Sequence, residues 1–425
     1  MTTTNPVTAA EWSVQTGRSK GGWIRRAVLS RLERLEGGRL VLRDAHGEYG
    51  FGEASGADTL QVTMEVHDDA LWRDVALRGV LGAGEAYAAG RWTTNDLVAA
   101  VRLFLRNRSI LEALDGGWSR LSRPLLAAWH RLRSNTRAGS RRNIVAHYDL
   151  GNEFFQLFLD ETMTYSSGIF PSEDADLRTA SLTKYDRLIG KLGIESHHHV
   201  LEIGCGWGGF AVRAAGRTGC RVTAVTLSPS QASYAREVVG RLGLEDRVTI
   251  LEQDYRDVEG VFDRLVSIEM IEAVGHDHLD EWVQVLSDRL APDGRVAIQA
   301  ITIADQHYER ARRNVDFIKR HVFPGTFIPS VAAITGAVSR AGDLRLVHLE
   351  DIGPHYATTL ARWRERFHAN ADAVRQQGFP ESFARGWDYY LGYCEAGFRE
   401  RFLGTAQMVL AKPADRNAPL LATFD

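Results

Sequence analysis

Residues Val200–Phe210, V-L-E-I-G-C-G-W-G-G-F, constrain this chain more than any other segment. An apolar run passes directly into four glycines, Gly204, Gly206, Gly208 and Gly209, and then into a helical pattern. A strand that ends in such a loop lets backbone N–H groups approach a ligand, because no Cβ stands in the way. A strand, a tight glycine turn and a helix in that order make one βα unit of a parallel sheet. The segment therefore reads as a main-chain cradle for a small ligand.

The spacing Gly204-x-Gly206-x-x-Gly209 satisfies the dinucleotide fingerprint. That fingerprint also expects an acid about twenty residues on, where it holds a ribose hydroxyl. No Asp or Glu occurs between Glu202 and Glu237. The next strand-like run ends instead in Val225-Thr226-Leu227-Ser228, with Gln231 one helical turn later. Glu202, two residues before the first glycine, can reach a cationic or amino group. S-adenosylmethionine (SAM), which carries a sulfonium, an ammonium and a carboxylate, suits this pattern better than a nicotinamide dinucleotide does. A glycine turn with no ligand is the weakest reading of four glycines so closely spaced.

At 425 residues the chain has room for two or three domains. A formal net charge of −3 argues against a general nucleic-acid binder. Cys205, Cys220 and Cys394 are odd in number and far apart, which points to reduced thiols and a cytoplasmic setting, not to a disulfide framework. His197-His198-His199 reads as a polar approach to a strand, and no metal site is expected. The first residues show no signal-peptide pattern, and no window approaches the length of apolar run that spans a bilayer. Any lipid chemistry would then be done peripherally, from the membrane surface.

Three regions separate along the chain. Residues 1–110 contain alternating segments, Arg39–Arg43 and Leu60–Val66, with helical stretches such as Leu97–Leu105, and read as a small accessory α+β domain. Residues 111–143 carry Trp118, Leu121, Leu125, Leu126, Trp129 and Leu132 among seven arginines, with no acid from Gly116 to Asn143. This basic linker is compatible with a membrane interface or with an interdomain helix that leaves its arginines solvated. Residues 144–425 alternate strand and helix, with strands expected at Val200–Ile203, Arg221–Val225, Val248–Leu251, Phe262–Ile268 and Arg295–Ile301. Leu344–Leu349 and Ala406–Lys412 suit an antiparallel edge. The expected fold class is α/β: a Rossmann-like mixed sheet with a parallel core, plus the smaller N-terminal domain.

Several further motifs occur in a fixed order. They are His147-Tyr148-Asp149-Leu150-Gly151-Asn152, Met163-Thr164-Tyr165-Ser166-Ser167, Glu202–Gly209, Thr226-x-Ser228-x-x-Gln231, Gln253-Asp254-Tyr255-Arg256-Asp257 and Glu269-Met270-Ile271-Glu272-Ala273-Val274-Gly275. His321-Val322-Phe323-Pro324-Gly325, Tyr356-x-Thr358-Thr359-Leu360 and Trp363-x-x-Arg366-Phe367 follow. Together, over roughly residues 141–413, they resemble the cyclopropane fatty acid synthase family. The resemblance implies a class I SAM-dependent methyltransferase with lipid-pocket insertions at about 302–335 and 355–403. Its substrates would be unsaturated acyl chains of phospholipids at the membrane surface, and a homodimer is compatible with it. The alkene attacks the sulfonium methyl, and loss of a proton from the new methyl closes a cyclopropane. Without ring closure the product would be a methylene- or methyl-branched chain. A soluble small molecule is the alternative substrate.

Carried over residue by residue, cofactor contacts fall on Tyr165, Ser166, Glu202, Gly204, Gly206, Gly208, Thr226, Leu227, Gln231, Asp254 and Tyr255. Gln231 would take the ribose role and Asp254 the adenine amino group. In the family a bound bicarbonate is thought to receive the ring-closing proton, held by a Cys, a Glu, a His, a main-chain Ile and a Tyr. Glu272, Ile301 and Tyr356 align with three of these, whereas Ser167 stands where the Cys is expected and Gln299 where the His is expected. Both replacements keep hydrogen-bonding ability, so bicarbonate binding is left open. Glu269, a second acid near Glu272, either supports the base or is a strand-end carboxylate; a helical loop would put the two acids on one face. Aromatic residues including Phe155, Phe158, Tyr165, Phe317, Tyr389 and Tyr390 are candidates for a wall that stabilises a cation.

Overall fold

The structure is a computed structural model that describes residues 22–54, 56, 58–115, 150–418 and 420. The basic segment from residue 116 onward, and with it most of the expected 111–143 linker, lies outside the described residues, as do His147, Tyr148 and Asp149.

The chain forms two compact units, and each is discontinuous. One comprises Met1–Leu132, Arg313–Pro324 and Leu360–Phe402; the other comprises Arg133–Arg312, Gly325–Thr359 and Leu403–Asp425. The linear division at residues 110 and 143 differs from this arrangement. About a third of the first expected insertion, 313–324, and most of the second, 360–402, cluster with the N-terminal residues, because composition changes along the chain do not report packing between distant segments.

The first unit holds a four-stranded sheet in the order β2-β1-β3-β4, from β1 (Gly38–Asp44), β2 (Gly47–Phe51), β3 (Leu60–Val66) and β4 (Trp92–Thr94). Alternation decides which face is inward: Leu60, Val62, Met64 and Val66 are buried while Gln61 and Glu65 are exposed. Asp388 is buried in this unit, where Tyr87 Oη, Arg364 Nε and His368 Nε2 bond its carboxylate at 2.8, 2.6 and 2.8 Å. Burial raises that carboxylate, but His368 and Arg364 outweigh it and hold it at about 2.

The second unit holds a seven-stranded sheet in the order β10-β11-β9-β8-β5-β6-β7. Its strands are β5 (His199–Ile203), β6 (Arg221–Thr226), β7 (Val248–Glu252), β8 (Phe262–Ile268), β9 (Leu290–Ile303), β10 (Arg345–Asp351) and β11 (Leu403–Ala411). β7, β6, β5, β8 and β9 run parallel, and β11 and β10 complete the sheet antiparallel. The expected strands are all present, with the late pair at the edge. Val200, Leu201 and Ile203 of β5 are buried on both faces, as a central parallel strand requires. His199 Nε2 pairs with Thr223 Oγ1 at 2.9 Å, and His198 Nδ1 accepts from Glu195 N at 2.8 Å.

Helix signals in the sequence position the elements around the site. Asp176 caps the helix Leu177–Leu192 by accepting from Thr179 N at 2.7 Å, and Gly193 ends it in the left-handed region at φ 57°. Ser228 caps the helix Pro229–Arg241, with proline in its first turn. Both helices pack apolar faces on the parallel core, where truncation of a buried aliphatic such as Leu188 would cost about 2–5 kcal/mol.

Candidate active site

The glycine loop leaves β5 with Gly204, Gly206 and Gly208 at φ 83°, 53° and 86°, a region that suits glycine. Gly204 N and Cys205 N both donate to Val225 O of β6 at 3.0 Å, which fixes the loop over the sheet end. The loop is anchored further by Trp207 Nε1, which donates to Asn152 Oδ1 at 2.7 Å. A Cβ on Gly206 would meet nothing within 4 Å, whereas one on Gly209 would sit 2.7 Å from Tyr185 Oη and 3.1 Å from the Thr162 carbonyl. Gly209 is thus demanded by packing, while Gly206 faces open space.

Two buried polar atoms near this loop have no hydrogen-bond partner among the described residues: Glu202 Oε2 and Gln231 Nε2. Buried polar groups are ordinarily satisfied, so each calls for an explanation. The Gln231 side chain is oriented, because its Oε1 accepts from Thr226 Oγ1 at 2.9 Å. That leaves its amide N–H₂ as a donor, the chemistry a ribose oxygen needs. Glu202 ends β5 in a site that burial pushes up to about 8, with the Lys184 ammonium acting in the opposite direction. A ligand cation beside it would supply the missing partner. The donor set therefore fits SAM, which carries both cationic groups and ribose hydroxyls.

The remaining expected cofactor residues divide. Leu227 and Tyr165 are half-buried, and Tyr165 packs edge-on to Phe155 with ring centroids 5.3 Å apart. Phe155 also contacts Trp207 of the glycine loop. Ser166 is buried and its hydroxyl accepts from Lys184 Nζ at 2.6 Å. Tyr255 is buried beside Arg256. Asp254 is engaged by Arg256 Nε and Nη2 at 2.8 and 3.1 Å, so any adenine contact would share that carboxylate. Of the aromatic wall candidates, Phe155, Phe158 and Tyr165 belong to the second unit, and Phe317, Tyr389 and Tyr390 to the first.

Beyond β8 the chain brings two acids together by a route other than a shared helix face. Glu269 lies in the left-handed region at φ 49°, as Met163 and Arg401 also do, and only Ile271–Ala273 beyond it form a short 3₁₀ turn. A non-glycine residue held there is strained, and such strain clusters at functional sites. Ser167 N donates to Glu269 Oε1 at 3.0 Å, Gln299 Nε2 donates to the same oxygen at 2.8 Å, and Tyr356 Oη donates to Oε2 at 2.8 Å. Glu269 is therefore no local capping residue: its partners come from three distant segments. Ser167 turns its hydroxyl away, onto Gly168 O at 3.0 Å. Glu272 accepts from Ile301 N at 2.6 Å through Oε1, and its buried Oε2 has no partner among the described residues. Burial and the neighbouring Glu269 push Glu272 up to about 8. Burial also raises Glu269, opposed by Lys184, Gln299, Ser167 and Tyr356. Both acids are thus raised by burial, with Lys184 and three donors favouring the charged form of Glu269 and the neighbouring Glu269 disfavouring that of Glu272.

This arrangement of loop, acids and sheet agrees with what the whole chain matches. Residues 135–408 match the family described as mycolic acid cyclopropane synthetase. The chain belongs to that family. A tuberculostearic acid methyltransferase, UfaA1 of Mycobacterium tuberculosis, is 39% identical over 396 residues, covering 91% of this chain and 91% of its own. The cyclopropane-fatty-acyl-phospholipid synthase of Escherichia coli is 34% identical over 352 residues, covering 82% of this chain and 87% of its own. The cyclopropane synthase MmaA2 of Mycobacterium tuberculosis has the same fold, with a TM-score of 0.60 at 30% identity over 64% of this chain and 98% of that one. The related CmaA1, solved with SAH and CTAB, gives a TM-score of 0.60 at 29% identity over the same shares. Like the rest of the mycolic acid cyclopropane synthetase family, this chain is a SAM-dependent methyltransferase with a class I fold.

Sequence reasoning missed several residues that shape this family member's site. Lys184 is fully buried on the helix Leu177–Leu192, and burial pulls it down to about 8 while Glu269, Asp160 and Glu202 raise it. Tyr185 Oη shares a hydrogen bond with Thr164 Oγ1 at 2.6 Å, and Thr162 Oγ1 lies 2.9 Å from both oxygens of Asp160. Gln407 and Lys191 were missed as well. The available signal was a lysine on an apolar stripe: Leu177, Ala180, Lys184 and Leu188 fall on one helix face.

Proposed function

We propose that this enzyme methylates the cis double bond of an unsaturated acyl chain carried by a phospholipid, and that Glu269 accepts the proton lost afterwards. The observation that carries this reading is the Glu269 carboxylate, gripped by Ser167 N–H, Gln299 Nε2 and Tyr356 Oη.

Bound SAM supplies an electrophilic methyl group on a sulfonium. The chain's own residues do the rest. Glu202 and Gln231 orient the donor through the atoms left free for it. The alkene π pair forms the new C–C bond as the C–S bond breaks toward sulfur, which leaves a cation on the neighbouring acyl carbon. The Glu269 and Glu272 carboxyl groups give that region negative or polar potential, which favours the cation. A C–H bond then gives its proton to Glu269, and its electron pair neutralises the cation.

Bicarbonate does not fit this reading. Gln299 and Tyr356, expected to hold it, are already turned on Glu269, and a second anion beside that carboxylate would meet like charge. The resident carboxylate takes the place of the borrowed one.

The proton can leave so as to close a cyclopropane, or after a hydride shift so as to leave a methylene branch on the open chain; the two products are isomers. We favour the open-chain product. The relative matched over 91% of this chain is named a methyltransferase rather than a cyclopropane synthase, and the anion-site residues Ser167 and Gln299 depart from the cyclopropane synthase pattern. A saturated methyl branch would need a separate reductase. Incubation of the enzyme with SAM and vesicles of an unsaturated phospholipid, followed by mass spectrometry, tests the reading. Net CH₂ addition that remains ozone-cleavable at a methylene supports it; an ozone-resistant product of the same mass identifies ring closure; no gain of CH₂ refutes acyl methylation.

A further inference from the structure

A row of four polar side chains crosses the second unit's sheet. Glu350 of β10 pairs with Gln407 of β11, and Gln407 pairs with Gln299 of β9. Glu269, one residue past β8, donates its N–H to Gln299 O at 2.7 Å. Directly paired residues share a face of the sheet, so the side chains of Glu350, Gln407 and Gln299 stand side by side, and Glu269, past the end of β8, meets Gln299 through its side chain. Gln299 and Gln407 are fully buried.

The side chains are joined in series. Lys191 Nζ donates to Gln407 Oε1 at 2.7 Å, Gln407 Nε2 donates to Gln299 Oε1 at 2.9 Å, and Gln299 Nε2 donates to Glu269 Oε1 at 2.8 Å and to Ser167 O at 3.3 Å. An amide has one accepting and one donating end, and an ammonium only donates. Lys191 must therefore face the oxygen of Gln407. That leaves Gln407 only its N–H₂ for Gln299, which must answer with oxygen, and so leaves Gln299 only its N–H₂ for Glu269. The polarity of the whole row follows from the charge at its far end. Lys191 is itself buried, in the last turn of the helix Leu177–Leu192; burial lowers it, and Glu350, which also pairs with Arg187, acts against that by favouring the ammonium.

We propose that Lys191 is a positioning residue for the reaction, acting on Glu269 through Gln407 and Gln299 without touching substrate or cofactor. It holds the Gln299 amide with its donors toward the carboxylate. Without it both amides can turn over, and Gln299 then presents oxygen to two acceptors, Glu269 and the Ser167 carbonyl. The other groups that face Glu269, namely Lys184, Glu272 and Tyr356, stay unchanged by this turn, as do Glu350, Arg187 and His348 around position 191. The proposal rests on the reading that Glu269 is the proton acceptor.

The test compares Lys191→Met, Lys191→Arg and Gln407→Leu in the full-length enzyme. Turnover and KM for SAM are measured against pH, and the Glu269 carboxyl is titrated by infrared difference spectroscopy, with its band assigned by its loss in Glu269→Gln. Lys191→Met should lower kcat roughly tenfold, leave KM for SAM unchanged and move the Glu269 titration to higher pH. Lys191→Arg, which also only donates, should restore both kcat and the Glu269 titration. Gln407→Leu keeps the Lys191–Glu350 pair but breaks the row, and should match Lys191→Met; it decides the matter if the lysine variant folds poorly. An unmoved Glu269 titration in Gln407→Leu, or a loss in Lys191→Met that Arg does not restore, overturns the proposal. Retained turnover in Glu269→Gln would instead remove the base assignment, while the infrared titration still reports on the row.

Discussion

Tyr356 donates to Oε2 of Glu269 at 2.8 Å while Gln299 donates to Oε1 at the same distance, so the two oxygens of one carboxylate have different futures. The Gln299 amide and the Ser167 N–H can only donate. A phenol can turn from donor to acceptor, so a proton is tolerated on Oε2 and opposed on Oε1. Tyr356→Phe removes a bond that favours the charged form, which raises the Glu269 pKa. Turnover should then fall about tenfold at neutral pH, and the acid limb of the pH–rate profile should move to higher pH. SAM affinity measured by calorimetry should be unchanged.

Glu272 sets the other limb. Burial and the adjacent Glu269 push it up to about 8, so it is protonated at neutral pH and ionises as pH rises through that value. A second negative charge would then raise Glu269 and unsettle the pair. Turnover should decline above about pH 8. In Glu272→Gln, whose amide oxygen can still accept from Ile301 N, that alkaline decline should vanish while the acid limb remains. A pH–rate profile of both proteins checks this.

Donor binding should release a proton. Glu202 is pushed up to about 8 by burial, so it is largely protonated near pH 7. A ligand cation beside it favours the charged form and lowers its pKa. Calorimetric titration with SAM in buffers of differing ionisation enthalpy should show up to one proton released at pH 7. Glu202→Gln should abolish that release and weaken binding.

Two glycines of one loop should behave differently. Gly206→Ala places a methyl group in open space with φ at 53°, costing about 1–2 kcal/mol of strain and intruding where the donor would lie. Gly209→Ala drives a Cβ against Tyr185 Oη and the Thr162 carbonyl. The first variant should lose SAM affinity with a small drop in Tm; the second should lose Tm by more.

The sheet was legible because its strands are apolar runs of short length between capped helices. Residues Val200–Ile203 and Leu60–Val66 declared themselves by burial pattern alone. The glycine loop and Gln231 were legible for a different reason: their spacing is tied to a ligand's shape. Glu269 was only half legible. Its nearness to Glu272 in sequence suggested a shared helix face, but a left-handed turn at φ 49° sends its carboxylate toward Ser167, Gln299 and Tyr356, which are remote in sequence. Lys184 carried a signal, a lysine on an apolar helix stripe, but Lys191 and Gln407 were silent, because a buried lysine or glutamine looks like a surface residue until the fold places a partner beside it. The two discontinuous units were silent too, since residues 313–324 and 360–402 carry no compositional mark of the unit they join.

The most direct test is product formation from SAM and an unsaturated phospholipid in bicarbonate-depleted buffer, measured by mass spectrometry for the native enzyme and for Glu269→Gln. The native enzyme should add CH₂ at the same rate with or without added bicarbonate, and Glu269→Gln should bind SAM but form product at least a hundredfold more slowly. A native rate that rises with bicarbonate, or a Glu269→Gln enzyme that turns over normally, would contradict a resident carboxylate as the base.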